Sequence, residues 1–249
     1  MRRLLKGDIR RILLKKSFYI SLLISVAAII VSITVSYFYY QQTGYTFLYS
    51  SVNYAGSLLS VMGLVVFMGV FADEFKNMAL SNVIGRGFSR IKVVAAKLLD
   101  SVIIMALISV ILVIVMLICG KVLGAVMTPM ESRAFFLSAF LNFYDTVGAI
   151  AIAAMFIFIS GNISLGIFMY LGVIVMMPVV FFLIDMVPVL TRFHFPRYSF
   201  SGMNYMGFSG IMMGCPVRGT VTLLINGLFY IGISVAIMIA VFRKKELEF

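Results

Sequence analysis

Residues 102–119, "VIIMALISVILVIVMLIC", run for eighteen positions without a charge. A strand of a membrane barrel would show segments of about 10 residues with alternating polarity. This stretch does not alternate, so it reads as a helix. Extended back to Leu98, it is long enough, at about 1.5 Å per residue, to cross a hydrocarbon core of about 30 Å. Five further runs of the same kind are Ser17–Tyr39, Tyr54–Ala72, Phe135–Ser160, Ile163–Ile184 and Thr220–Phe242. The expected fold is therefore all-α, an integral membrane domain of six spans over residues 1–249.

Composition agrees. The chain is 63% hydrophobic with a mean hydropathy of +1.12, well above the roughly 45 to 50% apolar content of soluble domains. The first apolar run is too long for a cleavable leader and lacks a small-residue cleavage site behind it, so it reads as a retained helix.

A net charge of +11 in a soluble chain would raise the question of nucleic acid. Here the basic residues sort by connection instead, and no nucleic-acid partner is expected. Seven precede the first span, five lie between the second and third, three follow the sixth, and five fall on the other side. The positive-inside rule then places both termini in the cytoplasm, with residues 185–218 outside. The chain is expected to be a multi-pass membrane protein.

Residues 2–16, "RRLLKGDIRRILLKK", set Leu4, Leu5, Ile9, Ile12 and Leu13 close to one helical face with basic residues around the rest. This is either an interfacial helix against inner-leaflet lipid or a topology signal, and one segment can serve as both. Gln41–Asn53 reads as a short outer connection. The connection from Asp185 to Arg218, with Pro188, Pro196, Pro216 and His194, is too polar and broken to span. Loops that long generally carry structure or function, so short helices capping the outer face are expected.

Soluble-enzyme chemistry is not in evidence. Gly120-Lys121 is followed by Val122 and lacks the upstream glycine of a phosphate loop, so the chain is not expected to hydrolyse ATP itself. His194 has no Cys or carboxylate at ligand spacing, and Cys119 and Cys215 form no metal or disulfide framework. No cofactor or metal is expected on this chain. Two carboxylates near the spans are functional suspects because charge in a membrane is costly. Asp100, one turn after Lys97, reads as half of a local ion pair. Asp145 either lies in mid-span, where it would line a substrate path, or acts as N-cap of a fourth helix that starts late, at "NFYD".

The remaining polar stretch is 73–99, "DEFKNMALSNVIGRGFSRIKVVAAKLL". Asp73 and Glu74 suit the positive end of a new helix, and Phe75, Met78, Ala79 and Val83 then share a face. Gly85-Arg86-Gly87 breaks that helix, and Ser89 is a candidate N-cap for the third span. Residues 73–90 thus form a helix, a break and a re-entry on the cytoplasmic side.

This stretch resembles the segment after the second span in permease subunits of the ABC-2 type exporter family. The opening "LLKGDIRRILLKKSFYI", residues 4–20, is similar to that family's N-terminal elbow helix. The resemblance implies a dimeric membrane domain, its second permease chain identical or homologous. It implies two copies of a separate ATPase subunit carrying ATP and Mg, and a coupling helix over residues 73–86. Asp73, Glu74, Phe75, Met78 and Arg86 would be the ATPase-coupling residues, and the 185–218 connection an outer gate. Among such permeases, short chains rich in Phe and Met look like exporters of amphipathic or antimicrobial peptides, including the phenol-soluble modulin type. Two rivals remain open at this point: an ion-coupled secondary carrier using Asp145, and a non-transporting membrane scaffold.

Overall fold

A computed structural model describes residues 2–40, 44–72, 75, 89–187, 198–199 and 216–244. Among these residues there is no strand. The helices are α1 (Arg2–Leu13), α2 (Lys16–Tyr40), α3 (Gly44–Phe67), α4 (Arg90–Val122), α5 (Pro129–Ser160), α6 (Ile163–Leu171), α7 (Met177–Asp185) and α8 (Pro216–Lys244). Helix α3 continues into a π-helical turn, Met68–Ala72, and a second such turn, Gly172–Met176, joins α6 to α7. Six segments are long and apolar enough to cross a membrane: Lys16–Phe38, Tyr54–Ala72, Arg90–Val122, Pro129–Ser160, Ile163–Asp185 and Leu224–Arg243. The chain has the build of a multi-pass membrane protein.

Three boundaries differ from the hydropathy reading. Helix α4 begins at Arg90, upstream of the apolar run at Leu98 and directly after Ser89 as the cap reading expects, because charged residues at a span's end interrupt its hydrophobicity without interrupting its backbone hydrogen bonds. Helix α5 begins at Pro129 rather than Phe135, fixed by a capping box. The Thr128 side chain accepts from the Glu131 N–H, the Glu131 carboxylate accepts from the Thr128 N–H, and proline takes the first helical position. The expected outer connection Gln41–Asn53 is helical from Gly44 onward.

The second π turn has a local cause. Pro178 supplies no N–H and its ring would crowd the carbonyl of Ile174, four residues back; widening the preceding turn relieves that conflict.

Helix α5 is the centre of the bundle, packed against α3, α8, α6 and α4. Gly148, Ala149, Ala151, Ala153 and Ala154 are all buried along it, and small side chains let neighbouring backbones approach without the help of a hydrophobic effect that lipid cannot supply. Gly63 of α3 lies where a Cβ would strike the Tyr170 hydroxyl and the Thr146 methyl, and one at Gly227 of α8 would strike the Tyr144 ring. Large apolar side chains such as Leu23, Phe38, Phe168 and Phe229 point outward and are more than half exposed, as a lipid-facing surface requires.

Between α5 and α6 the chain reverses in two residues. Gly161, at φ 71°, adopts the left-handed conformation that closes α5, and the Asn162 side chain accepts from Ser164 N–H to open α6. Asn162 of the Asn-Ile-Ser triplet thus serves as a helix cap.

Candidate functional site

Two places gather the polar and charged side chains of the described chain. One is the end of the bundle that carries α1; the other is the middle of α5.

At the first, α1 lies against α4 and the π turn that ends α3. Ile12, 2% exposed, covers Gly69 of that turn, where even a Cβ would find 3.7 Å of clearance. Lys97 is 3% exposed, and its ammonium donates to Asp8 Oδ2 on α1 at 2.5 Å. Asp8 also lies 3.9 Å from the Arg11 guanidinium one turn on. Lys97 therefore reaches across to α1, which amends the purely local pairing with Asp100 expected from the sequence; Asp100 itself is fully buried one turn further along α4. The cross-helix partner was a missed signal. Leu5, Asp8, Ile9 and Ile12 share one face of α1 by helical spacing, and an acid inside an apolar stripe asks for a buried cation. Partial burial, and then the nearby Arg11 charge, push the Lys15 ammonium below the usual lysine range.

The same end holds an aromatic cluster. Phe67 stacks on Tyr170 at 5.9 Å and tilts against Phe71 at 5.6 Å. Phe158, near the end of α5, takes the edges or faces of Phe71 at 6.4 Å, Phe75 at 5.2 Å and Phe242 at 5.0 Å, all near perpendicular. These are the edge-to-face geometries that ring quadrupoles favour. Of the five residues that the resemblance marks for coupling, the structure describes Phe75, and its ring packs on Phe158 of its own chain. Asp73, Glu74, Met78 and Arg86 lie outside the described residues, as does the helix expected there. Ser89 does precede α4 with an extended backbone, as an N-cap should, yet its side chain makes no capping bond.

The second place surrounds Asp145. It is the seventeenth of the 32 residues of α5, about 24 Å from the first turn at 1.5 Å per residue. It is not the N-cap, which is Thr128. Ser138, Asn142, Asp145 and Thr146 recur at the spacing of one broad face. Thr146 Oγ1 donates to the Asn142 carbonyl at 2.8 Å, and the Asn142 amide sits against Gly56, where an added Cβ would come within 2.9 Å of it. Tyr170 Oη donates to the Ser60 carbonyl at 2.6 Å, and Tyr144 Oη donates to the Leu224 carbonyl at 2.8 Å. Each of these two hydroxyls fastens one helix to the backbone of another, a role common for polar groups between membrane helices. Asp145 is partly buried, and a carboxyl there is the costliest group of the set.

Cys119 carries a free thiol, and no three His, Cys, Asp or Glu side chains converge as a metal site would require among the described residues. His194 and Cys215 lie outside them. The chain matches no protein-family model and no curated protein.

Proposed function

We propose that the chain is the transmembrane permease subunit of an ATP-driven exporter of the ABC-2 kind, set in the bacterial cell membrane with both termini cytoplasmic. A hydrophobic or amphipathic peptide is the cargo that fits best. Two copies of a separate ATPase would supply ATP and Mg chemistry, and a second permease chain would complete the pore. ATP binding would draw the ATPase subunits together and shift the permease from inward to outward access by moving packed helices against one another.

The observation that carries this reading is the construction of one end of the bundle. The chain leaves it at Ala72 and re-enters it at Ser89, and both flanks are packed against their own bundle, while α1 is held beside them by Lys97 and Asp8. The polar stretch between those flanks is thereby rooted at a fixed place, and by charge sorting that place faces the cytoplasm. A soluble motor that pushed there would push the helices. The intramolecular packing of Phe75 refines its role in this reading: it carries motion inward to Phe158, while Glu74, Met78 and Arg86 meet the motor.

The test is a pull-down of the ATPase by the parent chain and by Met78→Asp and Glu74→Lys variants, with ATPase assays in a membrane mimetic. Removing a buried interface anchor typically costs about 2 kcal/mol or more, so the variants should release the ATPase or abolish cargo-stimulated hydrolysis. Full binding and coupling in both variants would overturn the reading.

The mid-helix position of Asp145 favours a second reading, an ion-coupled carrier that needs no ATPase. Its mark is transport in proteoliposomes driven by an ion gradient alone and abolished by Asp145→Asn. Gradient-independent transport that requires ATP would exclude it.

A further inference from the structure

Arg90 is in the wrong place for its own helix. It occupies the first position of α4, facing the positive end of that helix's dipole, where a cation is disfavoured. Its guanidinium is instead committed elsewhere. Nη1 donates to the carbonyls of Phe242 at 2.8 Å and Arg243 at 3.0 Å, 152 and 153 positions away in the chain. Those two carbonyls belong to the last described turn of α8, and a backbone carbonyl has a second lone pair for such a donor. The guanidinium also lies 5.8 Å from the centre of the Phe242 ring, within reach of a cation–π interaction.

Phe242 is 3% exposed and makes the second half of the contact, its ring set edge-to-face on Phe158 at 5.0 Å. Phe158 in turn receives Phe71, from the π turn that ends α3, and Phe75 beyond it. The beginning of α4 and the end of α3 are therefore both fastened to the last turn of α8, one through Arg90 and the other through Phe158. Only 17% of the sixth span is buried within the chain, against 56% of the α5 span; a second fastening ties it to α5, where the Tyr144 hydroxyl donates to the Leu224 carbonyl toward the opposite end of α8.

We propose that Arg90, Phe158 and Phe242 form a joint through which the end of α8 follows any displacement of the ends of α3 and α4. In the exporter reading, on which the transport leg of this inference rests, the joint carries motor-driven motion into the last helix. Arg90 and Phe242 act as positioning residues; neither is a contact for cargo or ATPase.

The experiment reads geometry and coupling separately. Spin labels at Lys92 and Arg243, both exposed, report the distance between the two helix ends in the purified chain in nanodiscs. Arg90→Gln and Phe242→Ala should each broaden that distribution, while Phe242→Tyr, which keeps the ring, should leave it narrow. In the assembled exporter, the two disruptive variants should retain ATPase capture within about twofold and lose about tenfold or more of cargo-stimulated hydrolysis, Arg90→Gln by weakening the charge-assisted hydrogen bonds and Phe242→Ala by removing the ring that meets Phe158 and the guanidinium. Phe242→Tyr should restore it. A distribution as narrow in Phe242→Ala and Arg90→Gln as in the parent would overturn the joint. A broadened distribution with unchanged stimulation would overturn its coupling role. If the parent chain captures no ATPase at all, the exporter reading fails, and the joint stands or falls on the distance distribution alone.

Discussion

Gly63→Ala adds one methyl group and should destabilise this fold. A Cβ at position 63 would meet two atoms inside contact distance, the hydroxyl of Tyr170 and the Cγ2 methyl of Thr146. Neither is the loose tip of a long chain. Tyr170 is 1% exposed, stacks on Phe67 and donates to the Ser60 carbonyl; Thr146 is 2% exposed and bonded to its own helix. Forcing a methyl into such a core typically costs about 1 to 3 kcal/mol. Displacing Tyr170 also loses its hydrogen bond, worth about 0.6 kcal/mol on average between membrane helices. Alanine's better helix propensity works the other way by up to about 1 kcal/mol. The clash wins, and the net expectation is a loss of about 1 to 3 kcal/mol.

The same geometry specifies the rescue. Tyr170→Phe removes the clashing hydroxyl and Thr146→Ser the clashing methyl, while serine keeps the bond to the Asn142 carbonyl. The nearest remaining atom would be Tyr170 Cζ at 3.3 Å, a contact that small shifts absorb. The triple variant should therefore be more stable than Gly63→Ala alone by about 1 kcal/mol or more, a non-additivity expected only of residues in contact. Gly232→Ala is the control, since nothing lies within 4 Å of its added Cβ. The assay is an SDS titration in mixed micelles followed by loss of helicity. If Gly63→Ala unfolds where the parent does, or the triple variant unfolds before it, the close approach of α3, α5 and α6 at this point is wrong.

Two further outcomes are expected. Lys97→Met should lower stability in the same titration by about 3 kcal/mol, since breaking a buried ion pair strands its partner, and adding Asp8→Asn should recover most of it; equal losses in the single and double variants would mean that the pair does not hold α1. A cysteine at Ser201 should react with an impermeant label from outside and one at Glu246 only after permeabilisation, and the opposite pattern would reverse the proposed topology.

The six spans were legible because each is apolar over a membrane's thickness, with Asp100 and Asp145 the only charges inside them, and that is the property a lipid environment demands of a helix. Hydropathy alone misplaced their ends, because it reports where a helix can lie in lipid, whereas hydrogen bonding and caps decide where it stops. Helix α4 runs through Arg90, Lys92 and Lys97 without a break, and its start was legible from Ser89 rather than from hydropathy. The partnership of Lys97 was half legible: a lysine near an Asp one turn away invites a local pair, and Asp8 in the apolar stripe of α1 asks for a buried cation without saying which, so its meeting with Lys97 depends on how α1 docks. The tie from Arg90 to the end of α8 had no sequence signal at all, since its acceptors are backbone carbonyls.

The placement of Asp145 is different, because its signal was present and local. Thr128 followed by Pro129 and, at the third helical position, Glu131 is a start signal in its own right, and it lies well upstream of "NFYD". Reading that box first puts Asp145 halfway along a 32-residue helix and leaves no room for it as a cap. The consequence is energetic. A carboxylate at the centre of a membrane helix costs about 2.5 to 3.5 kcal/mol to insert on translocon scales. The Tyr144 hydroxyl ties α5 to the Leu224 carbonyl of α8, and that of Thr146 is committed to the Asn142 carbonyl of its own helix. Asp145→Asn keeps the size of the side chain and removes its charge, so loss of transport with the stability of the fold retained would mark the acid as kept for transport, and loss of both would mark it as kept for the fold.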